Sequence, residues 1–367
     1  MSRKKPARTR HCGTMDIHKM LLVKQPVYRQ NRLKIEAYTA AHVLRSARTA
    51  ALRPIVTIPV VVHIIYRTAA QNLSLKRIQS QITSLNQDFR KRNPDRAKIP
   101  SPFAPLAEDT RIKFALAKRD PNGGPTTGVT RTHTTATAFH MITNDVKRTS
   151  TGGHGAWPSD SYLNLWVAPR VLDHQGRELL GYAQFPGDPA STDGVVIATG
   201  TFGNPGTTAG FNRGRTATHE IGHWLNLLHI WGDDDGGCSG SDNVADTPNQ
   251  AYDNSGLPTF PHITCNNGPN GDMFMNYMDY TEDAGMFMFT KGQAKRMWAA
   301  LDGPRASIKT SEALQKPVAV RAVALSMPKR KVSIRTAVGR EAGTAVRTIF
   351  DGASWVPIAG MRARRKG

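Results

Sequence analysis

The apolar and polar positions change rhythm several times along the chain. Residues 55–66 are a nearly continuous β-branched run, which is how a strand covered on both faces reads. Ser74 stands where a helix N-cap would. Ile78, Ile82, Leu85 and Phe89 then follow at spacings of four, three and four, a single apolar stripe suited to lying on a sheet. Further strands are expected at 111–117, 162–167 and 194–198, between connections rich in Gly, Pro, Thr and Ser. Residues 32–51 contain neither Pro nor Gly and read as partly helical. Residues 215–225 read as another helix, with Ala217, Ile221, Trp224 and Leu225, and Leu228 beyond it, on the buried side. Strands with a long helix packed on them predict a mixed α/β layer fold. After residue 303 the pattern weakens, with one further strand expected at 316–325.

Composition narrows the picture. The 367 residues, 39% of them apolar, suffice for one or two domains with a substantial core. The net charge of +21 opens two readings, a polyanion-binding protein or a soluble enzyme with basic extensions. Its distribution favours the second. Residues 1–53 are basic throughout against only Asp16 and Glu36, the tail ends Arg362-Ala363-Arg364-Arg365-Lys366, and the acids, including Asp233-Asp234-Asp235, sit mostly in the middle. No nucleic-acid-binding module accompanies the charge, so no specific nucleic-acid partner is expected. No run approaches the roughly 18 apolar residues of a membrane helix, so no transmembrane segment is expected. The basic N-terminus is not followed early by an apolar stretch, so export by the general route is not expected from this sequence.

Three cysteines are present. Cys238 and Cys265 lie in one loop-rich region and are the natural pair. Cys12 is left over, and a lone cysteine reads most simply as an inert small side chain. The candidate chemistry lies in His219-Glu220-Ile221-Gly222-His223. Residues four apart share a helix face, so two imidazoles there can reach one zinc at roughly 2.0–2.1 Å. Glu220 is placed to touch a zinc-bound water without ligating the metal, as a general base must. A third ligand is needed, and His229 lies six residues past His223. A continued helix would carry it away, so the chain must break between them. In His-x-x-Gly-x-x-His glycine makes that break. Here Asn226 occupies the place, and Asn tolerates left-handed backbone angles better than other non-glycine residues. The bare five-residue motif is weak and fits two ordinary helix histidines; the third histidine at this spacing makes it much more specific.

The stretch from His219 to His229-Ile-Trp-Gly-Asp233, with Met273-Phe-Met-Asn-Tyr-Met-Asp-Tyr-Thr281 and Met288-Phe-Thr290, resembles the metzincin metallopeptidases. It is most similar to the pappalysin family (cytophagalysin-like, ulilysin-like), over residues 55–300 and a short N-terminal element. The resemblance implies a zinc endopeptidase acting on proteins or peptides. Its fold would be a twisted mixed β-sheet with a backing helix, an active-site helix and a smaller C-terminal subdomain. Met278 would form an apolar floor under the ligands. Tyr280 would donate a hydrogen bond to the developing oxyanion. Cys12, in Arg10-His-Cys12-Gly-Thr14, would act as a cysteine switch whose thiolate takes the fourth zinc position. That implies a latent precursor with pro-segment 1–53 and activation cleavage near Arg48 or Arg53. Asp242, Asp246 and Thr247 fall in a loop that binds calcium in relatives, with Asp242 and Thr247 the best matches.

There are departures. Relatives often carry four cysteines in this region; here Cys238 and Cys265 remain, an expected disulfide, and Gly285 stands where a fourth would be expected. The family is secreted, whereas this sequence offers no clear signal peptide. The expected organisation is pro-segment 1–53, catalytic domain 54–303 and basic tail 304–367, with substrate lying antiparallel to an edge strand near 192–198. Two rivals stand beside it, a non-proteolytic zinc hydrolase on the same fold and a cationic binding protein with a vestigial site. The oligomeric state is not legible.

Overall fold

The computed structural model describes residues 9–46, 53–234 and 236–316 and, for their backbone alone, three strands between 338 and 357. The first compact unit opens with helices α1 (Thr14–Lys24) and α2 (Pro26–Ser46), the latter starting on a proline whose missing N–H costs nothing there. The spine is β1 (Val56–Tyr66), whose Ile58, Val60, Val61, Val62, Ile64 and Ile65 are all buried, as the unbroken β-branched run requires. Helix α3 (Leu75–Phe89) lies on one face. Ser74 caps it, accepting from the Arg77 N–H, and Ile78, Leu85 and Phe89 are buried in the core shared with Ile58, Val60, Val62 and Ile64.

The remaining elements complete a mostly parallel sheet. They are β2 (Ile112–Leu116), β3 (Val129–His133), β5 (Leu163–Ala168), β7 (Gly181–Ala183) and β8 (Val195–Ala198), while the short β4 (Phe139–His140) and β6 (Val171–Leu172) pair with each other in a separate two-stranded sheet. The order is β2-β1-β5-β8-β7, with β3 also on β1. Pairings are parallel except β7 on β8, where Tyr182 faces Val196. Helices α4 (Arg215–Trp224) and α5 (Lys291–Asp302) follow. On the face of the sheet away from α3, Ile17 and Leu21 of α1 and Tyr28 of α2 share a second core with Ile65, Trp166 and Tyr182.

Two expectations change. The strand near 192–198 is not an edge: β8 is paired on both sides, and the edge is β7. Three residues with Gly181 among them were too short to read as a strand. The body also runs past 303. Arg305 is paired with Asp193, Ile308 joins the main core, and Ala313 packs with Val61 and Tyr162. The expected strand at 316–325 and the cleavage candidate Arg48 lie outside the described residues. Arg53 is described: its guanidinium meets Asp302 at 2.6 Å and lies over the Trp298 ring. A second compact unit, 319–367, contains an antiparallel sheet of β9 (Val338–Glu341), β10 (Thr344–Phe350) and β11 (Trp355–Pro357). Among the described residues no helix is long and apolar enough to cross a membrane.

Candidate metal centre and cleft

Helix α4 is buried along its whole length. His219 and His223 stand one turn apart on it. After Trp224 the chain breaks at Asn226, whose φ of 73° is left-handed. The Leu227 N–H turns back to the Gly222 carbonyl at 2.9 Å, closing the helix in the manner of a glycine cap. The reversal returns His229 to the group, with its Nε2 3.2 Å from that of His223, which is itself 3.2 Å from that of His219.

The second nitrogens fix the tautomers. His219 Nδ1–H donates to the Tyr277 carbonyl and His223 Nδ1–H to the Leu227 carbonyl, each at 2.8 Å. Carbonyl oxygen only accepts, so both Nε2 atoms present lone pairs. Burial pushes both imidazoles well below their ordinary pKa, keeping them neutral. His229 Nδ1 faces the Asp233 carboxylate at 2.8 Å. Lone pairs converging at 3.2 Å repel unless a cation lies between them. A tetrahedral zinc with nitrogens at 2.0–2.1 Å asks for about 3.3 Å between ligand atoms. The donor set fits. Cys12 is the fourth member, and one ligand atom from each of the four lies within 4.8 Å of the others.

Below the histidines lies the buried Met278. A Cβ at Gly222 would collide with the Met278 sulfur, so with any other residue there the methionine floor would have to shift. Above, the edge strand closes on Glu220: a Cβ at Gly181 would come 2.9 Å from Glu220 Cγ. Glu220 is 1% exposed, and burial pushes its carboxyl up to about 7. It accepts from the Thr14 hydroxyl at 2.9 Å and from the Cys12 thiol at 3.3 Å. Tyr280 packs edge-on against His229 and Trp231, and burial raises its phenol well above the usual range, so it stays a donor. Trp231 stacks on His229 at 4.1 Å.

The N-terminal segment runs through this cleft as an added strand. Cys12 pairs with Gly181 in parallel; the Leu180 N–H donates to the His11 carbonyl at 3.0 Å and the Gly13 N–H to the Gly181 carbonyl at 3.1 Å. Arg10, 3% exposed, fills a pocket beside the metal group. Its guanidinium donates to Asp283 at 2.8 Å and to the Thr216 hydroxyl at 3.1 Å, and lies over the Phe211 ring. Asp283 also accepts from the N–H groups of Arg213 and Arg215. Farther along, the Asn226 side chain donates to Glu36 of α2 at 3.0 Å, and Glu36 is clamped by Arg32 and Arg296.

The other expected residues are accounted for. Cys238 and Cys265 are disulfide-bonded. Thr247 donates to Asp242, a buried carboxyl pushed up to about 7 by desolvation. Asp246 is instead engaged at the start of α5, with the Thr290 hydroxyl and the Gly292 N–H. Sequence reasoning missed the Arg10–Asp283 pocket, the Thr14–Glu220 bond and the Asp233–His229 bond. Only the last left a signal, a carboxylate four residues past the third histidine.

Residues 147–302 match the family model described as pregnancy-associated plasma protein-A. The extracellular metalloprotease of Arthroderma otae is 31% identical over 258 residues, 68% of this chain and 80% of that protein. That of Verticillium alfalfae is 32% identical over 275 residues, 72% and 82% of the two. Among solved structures, a Tannerella forsythia promirolysin mutant aligns with a TM-score of 0.74 at 45% identity, covering 82% of this chain and 97% of that one. Mature mirolysin from the same organism, in complex with a cleaved peptide, aligns with a TM-score of 0.69 at 49% identity, covering 73% and 100%. With its mostly parallel sheet and buried histidine group, the chain belongs to the pregnancy-associated plasma protein-A (pappalysin) family of metzincin metalloendopeptidases.

Proposed function

We propose that the chain is the latent precursor of a zinc endopeptidase, with His219, His223 and His229 holding the metal and Cys12 occupying the fourth position until residues 1–53 leave. The observation that carries this is the convergence of the three Nε2 atoms on the Cys12 sulfur, two of them fixed as lone-pair donors by the carbonyls behind them. Burial and the neighbouring Glu220 carboxylate push the Cys12 thiol up, so only a cation in the group would hold it as thiolate. Zinc bound there supplies Lewis acidity toward water and the scissile carbonyl. Glu220, freed of Cys12 and Thr14, takes the proton from water and passes it to the leaving amine. The Tyr280 phenol donates toward the developing oxyanion. The name of the mirolysin precursor and the docked N-terminal segment support latency. The Cys238–Cys265 disulfide and the extracellular relatives support export. Calcium at Asp242 and Thr247 is proposed on the chemistry of that buried carboxylate alone. The basic segment beyond the first unit is assigned no role.

The test uses the full-length chain with and without residues 1–53. Purified protein is expected to hold about one zinc per chain. Hydrolysis of an unfolded protein should stop on chelation and return with added zinc. Protein without zinc, or hydrolysis indifferent to a chelator, overturns the reading.

Substrate is placed antiparallel to β7, using the Leu180 N–H and Gly181 carbonyl that the N-terminal segment now occupies. A chain running that way puts the residue just after the scissile bond over the Arg10 pocket. The pocket selects a cationic side chain, because Asp283 is buried and needs a counter-charge. Asp283→Asn is expected to lower the preference for an arginine over a norleucine peptide about 100-fold, the loss of about 3 kcal/mol for one buried charged partner. The measured quantity is the ratio of kcat/KM values for the two peptides; an unchanged ratio refutes the assignment.

A further inference from the structure

Resting on the zinc assignment, we infer that Asp233 is a positioning residue for His229 and sets how tightly the third ligand is held. The three histidines do not have equivalent supports. His219 and His223 are steadied by neutral main-chain carbonyls, of Tyr277 and Leu227. Among the described residues only His229 has a carboxylate behind it, Asp233 Oδ1 at 2.8 Å from Nδ1. A carboxylate accepting from Nδ1–H makes the opposite nitrogen a stronger donor to metal and holds the ring's orientation.

The backbone carries the second observation. Gly232 and Asp233 are consecutive left-handed residues, with φ of 73° and 52°. A glycine enters that region freely, whereas a residue with a Cβ is strained there. That strain is spent where it swings the Asp233 side chain back under the imidazole four residues earlier. A Cβ at Gly232 would collide with the Gly240 backbone, so the loop tolerates this path only with glycine first. Trp231, stacked on the face of His229, leaves the ring one edge for support, and Asp233 meets it there. The second carboxylate oxygen is buried and has no partner among the described residues, so hydrogen bonds from elsewhere do not draw the charge away from the imidazole. The next residue makes the contrast: Asp234 turns outward and accepts from the N–H groups of Ser239 and Gly240.

Zinc affinity of the full-length chain, measured by competition with a pyridine-dicarboxylate chelator, tests this. Asp233→Asn keeps a left-handed-tolerant residue and an accepting oxygen but removes the charge. Asp233→Gly keeps the backbone path and removes the side chain. Both should weaken zinc binding, by about 10- to 100-fold, with glycine the greater. Asp234→Asn should leave it unchanged. The melting temperature of the zinc-free chain is followed in parallel; a purely structural role would lower it in the Asp233 variants, and a positioning role would not. Equal zinc affinity in wild type and both Asp233 variants overturns the inference, as does an equal loss in Asp234→Asn or a matching fall in zinc-free stability. A wild-type chain that binds no zinc would instead overturn the proposed function itself.

Discussion

Glu220→Gln in the chain freed of residues 1–53 is expected to lower kcat by roughly 10²- to 10⁴-fold, the range for loss of a positioned general base. The side chain is enclosed, 1% exposed and pressed against Gly181, so an isosteric amide fits without repacking. Glutamine keeps the shape and loses the ability to take a proton. Zinc content should stay as it was, because Glu220 is not among the proposed ligands and the three histidines have carbonyl and carboxylate supports of their own. KM should change little, since the lost interaction belongs to the transition state. Single-turnover hydrolysis of a quenched peptide, with metal analysis of the same sample, gives both numbers. Activity within a few-fold of wild type would refute the role of Glu220. Unchanged biological action alongside abolished hydrolysis would revive the reading of a cationic binding protein.

Cys12→Ala in the full-length chain should raise its peptidase activity by about 100-fold or more. In the proposed latent form the sulfur is the one ligand that would have to leave before water could enter, and removing an interaction of about 3 kcal/mol corresponds to that ratio. Full release is not expected from this change alone. Arg10 stays in its pocket on Asp283, and Glu36 stays tied to Asn226 and Arg296. The variant should therefore lie between the precursor and the chain lacking residues 1–53. Activity measured before any cleavage of the segment, checked by mass, decides it. A Cys12→Ala chain as silent as wild type would remove the switch and leave Arg10 and α2 as the whole cause of latency.

Much of this was legible in the sequence for identifiable reasons. Strand β1 read correctly because both its faces are covered and its apolar run is unbroken. Helix α3 read correctly because one face meets the core and Ser74 caps it. The turn at Asn226 followed from the distance between His223 and His229, which an unbroken helix cannot close. Helix α5 carries a legible signal, with Thr290 and Gln293 forming a capping box and Ala294, Met297, Trp298 and Leu301 at helical spacing, yet it lies outside the sequence expectations. Strand β7 could not be read from three residues. The Arg10 pocket was invisible for a different reason. It joins residues 206 and 273 positions apart, and nothing local in Arg10, Thr216 or Asp283 announces the partnership.

The parallel register of Cys12 on Gly181 has a consequence for the survival of the proposed precursor. The N-terminal segment carries what the cleft is proposed to select, an arginine in the pocket and a main chain bonded to the edge strand, yet it is threaded in the opposite sense to the direction proposed for substrate. Every amide along it is therefore turned end for end relative to Glu220. Under the proposed function the reversed direction adds to the exclusion of water by Cys12, so the protease would be held by a peptide of its preferred composition without consuming it.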